Sequence, residues 1–388
     1  MTTTINNEHN KHNFPNLRFK ELQGEWEKCK LSEICTFFSG GTPSSSNKDF
    51  YGGNIAFIRS GELHADSTEL FITQAGFDSS SAKMVEVGDL LLAMYGATSG
   101  DIAVSKIKGA INQAILCIRT KQNKKFIESV WNKHVSKNLR KYLQGGQGNL
   151  SADIVKGISF FFPTLKEQEK IANLVFLLDE RIAIQNKIID KLQSLIKGIV
   201  DCTILHKEKN AIVGDVCSIS EQIRAEANID DIITVRLHGN GVCKSSAENL
   251  QLGATQYYRR KAGQLIYGKQ NFHNGAIGIV PISLDNGITS KDIPSFDIDE
   301  MKCNSVYLLA QLQSPQYYKP AEALTTGTGS KRLKEETFLK MPIVLPNKRE
   351  QDDIAVLIHR ASMNLDHAKR LLELLSIQKQ FLLRQMFI

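Results

Sequence analysis

Hydrophobic and polar residues follow two rhythms along this chain, and each rhythm occurs twice. Across residues 165–205 apolar side chains fall at Ile171, Leu174, Leu178, Ile188, Leu192, Leu195 and Ile199, in steps of three and four. Arg181 and Gln185 interrupt that seam, but no proline does. This spacing predicts a long helix with one apolar face turned to a partner helix. Residues 350–387 repeat it, with Ile354, Leu357, Ala361, Ala368, Leu371, Leu375 and Leu382 on the seam and polar Asn364 and Gln378 within it. The two runs are expected to pair with each other. Forty residues of helix span roughly 60 Å, enough to hold two globules apart.

Ahead of each helix the pattern changes to short apolar runs bounded by glycine or polar residues, the signature of strands. In the first globule these runs are 54–59, 88–95, 102–105, 114–118 and 158–162, with a helical pattern over 126–143 and a glycine-rich turn over 145–148. The second globule keeps parts of that frame. Val213-Gly-Asp-Val216-Cys217 matches Leu31-Ser-Glu-Ile34-Cys35, and residues 333–346 match 150–163 without a gap. The clearest repeat opens the helices. Pro163-Thr-Leu-Lys-Glu167-Gln168-Glu-Lys-Ile171-Ala172 returns 183 positions later as Pro346-Asn-Lys-Arg-Glu350-Gln351-Asp-Asp-Ile354-Ala355. Carboxylates are favourable near a helix N-terminus, so Glu167-Gln168 and Glu350-Gln351 read first as a helix-start device and second as a partner contact. The packing positions are Ile171, Leu174, Leu178, Leu192 and Leu195 in one helix, and Ile354, Leu357, Leu371 and Leu375 in the other.

The predicted organisation is a polar, disordered leader (1–16), a first globule (17–163), a central helix (164–208), a second globule (209–346) and a C-terminal helix (347–388). The fold class is α/β of the α+β kind: two similar mixed domains separated by two long paired helices that form a coiled-coil spacer, a pseudo-twofold internal repeat. The loops between matched frames diverge. Met94-Tyr95-Gly96-Ala97-Thr98-Ser99 stands in one copy where Lys269-Gln270-Asn271-Phe272-His273-Asn274 stands in the other. Equal scaffolds with unequal loops suit two readers of different targets.

Composition narrows this picture only a little. The 388 residues are 42% hydrophobic and 23% charged, which fits two or three soluble domains. No apolar stretch is long enough to span a membrane, and the polar N-terminus does not read as a signal peptide. A formal charge of +7 permits a polyanionic partner. Seven cysteines without a CxxC pair argue against a disulfide framework or zinc site and for a reducing cytoplasm, where they serve as small buried hydrophobes.

Sites of catalysis are scarce. No Pro-Pro pair exists, so the tetrapeptide of a DNA methyltransferase is absent, and Gly327-Thr-Gly329-Ser330-Lys331 lacks phosphate-loop spacing. Asp297, Glu300 and Lys302 would be the residues of a metal-dependent nuclease, although they lie close together and read equally as a solvated acidic loop. The histidines form no ligand pair, so no metal site is expected. Groups suited to base edges and phosphates are more frequent. In the first globule they are Gly41, Thr42, Ser44, Ser45, Asn47, Lys48, Arg59, Ser60, Tyr95, Thr98 and Ser99. In the second they are Tyr257, Arg259, Arg260, Lys269, Gln270, Asn271, Ser330, Lys331 and Arg332.

The duplicated Pro-x-x-x-Glu-Gln-x-x-Ile-Ala segments, each preceded by an apolar strand, resemble those of the specificity subunit (HsdS) of type I restriction–modification enzymes. Ser39-Gly40-Gly41-Thr42-Pro43, Tyr95-Gly96-Ala97-Thr98 and Asn112-Gln113-Ala114 support the resemblance, which covers the chain past its leader. It implies two target recognition domains, each reading half of a bipartite, asymmetric double-stranded DNA target, separated by two long antiparallel helices that set the spacer. It further implies no catalysis by this chain and no cofactor in it. Two methyltransferase (HsdM) subunits would use S-adenosylmethionine to methylate adenine N6, and two motor–nuclease (HsdR) subunits would use ATP and Mg2+ to restrict. The rival readings are a non-catalytic coiled-coil protein adaptor and a stand-alone nuclease.

Overall fold

The computed structural model describes residues 13–142, 149–245, 255–327 and 331–388. Most of the expected leader, the 145–148 turn and Ser330 lie outside the described residues. Contacts divide the chain into two compact units, Met1–Ile184 with Leu372–Ile388, and Gln185–Leu371. Each unit holds one strand-rich globule together with part of each long helix. The division therefore passes through the helices instead of setting them apart as separate domains.

In the first unit the strands Cys35–Ser39, Ile115–Thr120, Leu90–Ala93 and Ile102–Val104 lie side by side in that order. All three pairings are antiparallel. The middle strand Leu90–Ala93 is buried along its whole length because its two faces serve two cores. Leu90 and Leu92 pack with Ile102, Leu116 and Ile118 on one side. Leu91 and Ala93 pack with Ala103, Ile115 and Cys117 on the other. A strand covered on both faces needs an unbroken apolar run, as this one has. The helix Lys124–Tyr142 covers the first face with Phe126, Ile127, Val130 and Trp131. It starts at Asn123, whose Oδ1 accepts the Phe126 N–H at 3.0 Å. The same core receives Met386 and Phe387 from the far end of the chain, with Phe126 and Phe387 ring centroids 5.3 Å apart.

The second unit repeats this topology. Cys217–Ile219, Ser295–Ile298, Leu265–Tyr267 and Ile277–Ile279 form a sheet whose order corresponds strand for strand to the first. Ser305–Leu312 is the covering helix, capped by Asn304 Oδ1, which accepts the Val306 N–H at 3.0 Å. A two-stranded antiparallel ribbon also recurs, Glu27–Lys30 with Ser159–Phe162 and Ala211–Ile212 with Pro342–Ile343. In both units the later strand of that ribbon leads into a long helix.

The long helices are Leu165–Val200, extended by a π-helical turn at Asp201–Leu205, and Lys348–Met386. Within the first unit Lys379 Nζ pairs with Asp179. Within the second, Gln185 Nε2 donates to Ala368 O at 3.0 Å and Lys207 pairs with Glu350. Numbers rise on one helix as they fall on the other, so the segments run antiparallel. The buried face differs from the expected one. Ile171, Val175, Leu178, Gln185, Ile189 and Val200 are buried, whereas Leu195 is 53% exposed. Leu174 is half-buried against the first globule's core, and Leu192 is half-buried. Gln185 belongs to the buried face because Ala368 O satisfies its amide. Reading it as an interruption moves the later positions from Ile189 to Ile188, one residue or about 100° around the helix. On the second helix Ile354 and Leu375 are buried as expected, whereas Leu357 and Leu371 are 52% and 42% exposed. Ile358 and Ala368 hold the buried face there.

Candidate nucleic-acid interface

The sheet of the first unit has one end at which Ser39 faces Leu116, Ala93 faces Ile115 and Leu92 faces Ile102. Three loops leave from that end, and backbone bonds tie them together. The Gly40 N–H donates to Asn112 O at 3.2 Å, and the Met94 N–H donates to Ala114 O at 2.8 Å. Glycine is required where the first loop crosses its neighbours. A Cβ on Gly40 would lie 1.7 Å from Ile111 O, and one on Gly41 2.0 Å from Ser81 Oγ. Thr42 follows, exposed, and its hydroxyl donates to Gln113 Oε1 at 2.7 Å. Tyr95 is exposed beside Gly96, whose φ of 80° lets the chain turn back tightly. The Ser99 hydroxyl donates to Met94 O at 3.0 Å and closes that turn, with Thr98 half-buried inside it. Arg59 and Ser60 follow directly on the strand Tyr51–Ile58, whose end pairs with Ile111, so they join the same rim. His64 Nε2 lies 2.9 Å from Asp101 Oδ1 at its edge.

The second unit builds its rim on the same bonds. The Lys269 N–H donates to Asp292 O, and Lys269 O accepts the Leu333 N–H, both at 2.9 Å. Met94 occupies the equivalent place, since Met94 O accepts the Leu150 N–H at 2.8 Å. Gln270 and Asn271 project from the turn, both exposed. Arg332 Nη2 reaches Asp292 Oδ2 at 3.2 Å, and Lys331 pairs with Glu322 at 3.2 Å.

Both globules are bolted to their helices by the repeated glutamine. Gln168 is 1% exposed. Its Nε2 donates to Pro163 O at 2.9 Å and to Gln122 Oε1 at 2.8 Å, while Oε1 accepts the Asn123 N–H at 3.0 Å. Gln351 is also 1% exposed. Its Nε2 donates to Pro346 O at 2.8 Å and Lys302 O at 3.1 Å, and Oε1 accepts the Asn304 N–H at 2.9 Å.

Residues 23–194 match the family model described as the type I restriction modification DNA specificity domain. The specificity subunit of the type I restriction enzyme EcoR124I/EcoR124II from Escherichia coli is 28% identical over 187 residues, 45% of this chain and 45% of that protein. This chain thus matches less than half the length of that relative. The specificity subunit of the type I restriction enzyme MjaVIII from Methanocaldococcus jannaschii is 20% identical over 377 residues, 87% of each. The S subunit of a type I restriction-modification system from M. genitalium has the same fold, with a TM-score of 0.65 at 12% identity over 97% of this chain and 99% of that one. The chain is similar in sequence to type I restriction–modification specificity subunits.

The rims keep some expected residues and remove others. Thr42, Ser44, Ser45, Lys48, Arg59, Tyr95, Arg259, Gln270, Asn271, Lys331 and Arg332 are exposed. Gly41 is buried, so it shapes the loop without offering a contact. Asn47 Oδ1 accepts the Asp49 N–H at 3.1 Å, capping a short helical turn. Tyr257 is buried in the smaller sheet, packed with Ile232 and Ile288. Arg260 is 0% exposed and cannot read DNA. Its guanidinium donates to Thr289 Oγ1 at 2.8 Å, Ser295 Oγ at 3.0 Å and Ile293 O at 3.0 Å, bracing the rim loop from beneath. Burial lowers its pKa to about 10, which still leaves it charged at neutral pH. Most of the exposed cations already have partners: Arg59 pairs with Glu62 at 2.7 Å, Lys331 with Glu322 at 3.2 Å and Arg332 with Asp292 at 3.2 Å. Exposed pairs of this kind hold by about 1 kcal/mol or less, so phosphates can displace them.

Asp297 accepts from Gln264 Nε2 at 2.9 Å, Lys302 pairs with Asp299, and Glu300 turns to the Ser305 N–H. The three residues weighed as a nuclease centre thus have separate structural partners. Among the described residues no group of three or more His, Cys, Asp or Glu could hold a metal ion, and no helix is long and apolar enough to cross a membrane. Cys117, Cys217 and Cys303 are buried thiols whose pKa burial pushes up to about 12, but Cys202 is exposed. Sequence reasoning passed over Gln113, His64 and Asp101. Only Gln113 carried a signal, inside the Asn112-Gln113-Ala114 motif.

Proposed function

We propose that this chain is the DNA sequence-recognition subunit of a type I restriction–modification complex and catalyses nothing itself. One observation carries the reading: two sheets with the same strand order and the same rim bonds present different side chains, Thr42, Gln113 and Tyr95 in one unit and Gln270, Asn271 and Arg332 in the other. Equal frames with unequal contacts suit a bipartite, asymmetric target, each rim reading one half. The long helices then set the gap between half-sites. They also keep apolar side chains exposed outside their shared face: Phe176, Leu177, Leu374 and Phe381 in the first unit, and Ile188, Val356 and Leu357 in the second. That surface is suited to seating two methyltransferase subunits, one per repeat. S-adenosylmethionine would belong to those subunits, and ATP and Mg2+ to two motor–nuclease subunits, all in the cytoplasm.

The test is a comparison of genomic N6-methyladenine in cells that express the neighbouring methyltransferase with and without this chain. A split motif of two short halves around a fixed gap, present only with the chain, is the expected result. Its absence where the complex demonstrably forms overturns the reading in favour of a protein adaptor. An adaptor also lacks the steep fall of DNA affinity with salt that phosphate contacts impose.

A further inference from the structure

We propose that Gln168 and Gln351 are positioning residues that set the angle of each recognition end on its own helix, and through it the number of base pairs accepted between half-sites. The inference deepens the DNA-recognition reading and rests on it. Each glutamine sits in the first turns of a long helix and joins three things with one amide: the proline that precedes the helix, the segment just before the covering helix, and that helix's N-terminal cap. Asn123 and Asn304 are the caps concerned, so the amide grips the globule at a rigid point. Both side chains are shut off from water, which leaves no solvent to replace a lost bond.

The location turns this grip into a lever. Asn123 closely follows the strand Ile115–Thr120, whose other end meets Ala93 at the rim. Six strand residues cover about 20 Å. A swing of about 10° at the latch therefore moves the rim by about 3.5 Å, close to the ~3.4 Å rise of one base pair. The latch is the same in both units, although the glutamates beside it and the rims beyond it differ. In both units the amide holds the preceding proline's carbonyl and the cap N–H, and its third bond goes to Gln122 Oε1 in one and Lys302 O in the other. A contact that fixes a readout distance must recur at both ends.

The experiment uses the full chain in complex with its methyltransferase partner. Reporter plasmids carry the two half-sites at the native spacing and at one base pair shorter and longer, and methylation of each is counted by sequencing. The wild-type chain is expected to favour the native gap. Gln168→Leu and Gln351→Leu are each expected to lower that preference at least tenfold, with both half-site sequences unchanged. Gln122→Ala removes one of the three Gln168 bonds at a half-buried site and should broaden the gap to a smaller degree. The proposal is overturned if the variants keep the wild-type ratio among gaps, or lose methylation at all three gaps in equal proportion. If the leucine variants fail to assemble, Gln122→Ala alone decides by the same two criteria. A wild-type chain with no split motif at all sinks the DNA-recognition reading instead, and so the two failures are told apart.

Discussion

Glu167 and Glu350 stand at the same place in the two repeats and are held in opposite ways. Glu167 is 1% exposed and receives Arg18 Nε at 2.7 Å and Nη2 at 2.6 Å. Arg18 itself is fixed by Gly24 O and Gln23 O, so the segment before the first strand is folded onto the helix start. Glu350 is half-exposed and pairs with the exposed Lys207 just beyond the first long helix. The grooves behind them differ in the same way. In the first unit Lys125 with Glu128 and Asp179 with Lys379 fill the space between the covering helix and the long helices, leaving about 30 Å³. In the second unit Ser362 and Ile196 stand where Asp179 and Lys379 do in the first, and about 480 Å³ stays open. Duplication has preserved the neutral amide latch and let the charges around it drift. A buried amide must keep its geometry, whereas exposed charges tolerate exchange because water already solvates them.

The largest effect should come from Arg260→Ala, which leaves a cavity and removes the guanidinium from Thr289 Oγ1, Ser295 Oγ and Ile293 O under the second rim. A loss of roughly 3–5 kcal/mol is expected, read as a lower urea midpoint with recognition of the second half-site failing first. Next is Arg18→Ala, which strands a buried carboxylate. About 3 kcal/mol is expected, and Glu167→Gln in the same background should recover part of it. The matched change in the other unit, Lys207→Ala, should cost less than about 1 kcal/mol. Equal losses from the two would break the comparison.

A finer test uses pH. Burial by itself would raise the Asp89 carboxyl, but the Arg119 hydrogen bond at 2.8 Å, the Glu86 N–H and the charges of Arg119 and Lys124 together hold it below the usual carboxylate range. A depressed pKa means that the ionised form stabilises the fold above the unfolded value and that this contribution disappears as pH falls through the folded one. Asp89→Asn should therefore destabilise at neutral pH by roughly 1.5–3 kcal/mol, and the gap to wild type should close below about pH 4. A gap that stays constant down to acid pH would show that the ion pair is not its source. The smallest effect on stability belongs to the rims. Gln270→Ala or Asn271→Ala should leave stability unchanged while relaxing one half-site by roughly 1–3 kcal/mol, and a change in both half-sites would count against two separate readers.

The sequence by itself determined the repeat, the two long helices, their pairing and the glutamine that opens each one. Those features depend on periodicity and on residues close together in the chain, and Pro163 with Gln168 can be read without knowing the fold. Tertiary structure decided which helix face is buried, because whether Gln185 interrupts the seam or joins it depends on a carbonyl at Ala368. It decided that Arg260 is a brace and Arg259 an exposed cation, a distinction fixed by the strand's two faces and invisible in Tyr257-Tyr258-Arg259-Arg260. It also placed Phe387 against Phe126 in the first core. Nothing local in either residue records that contact, since burial of apolar surface rewards any partner of suitable shape however far away in the chain.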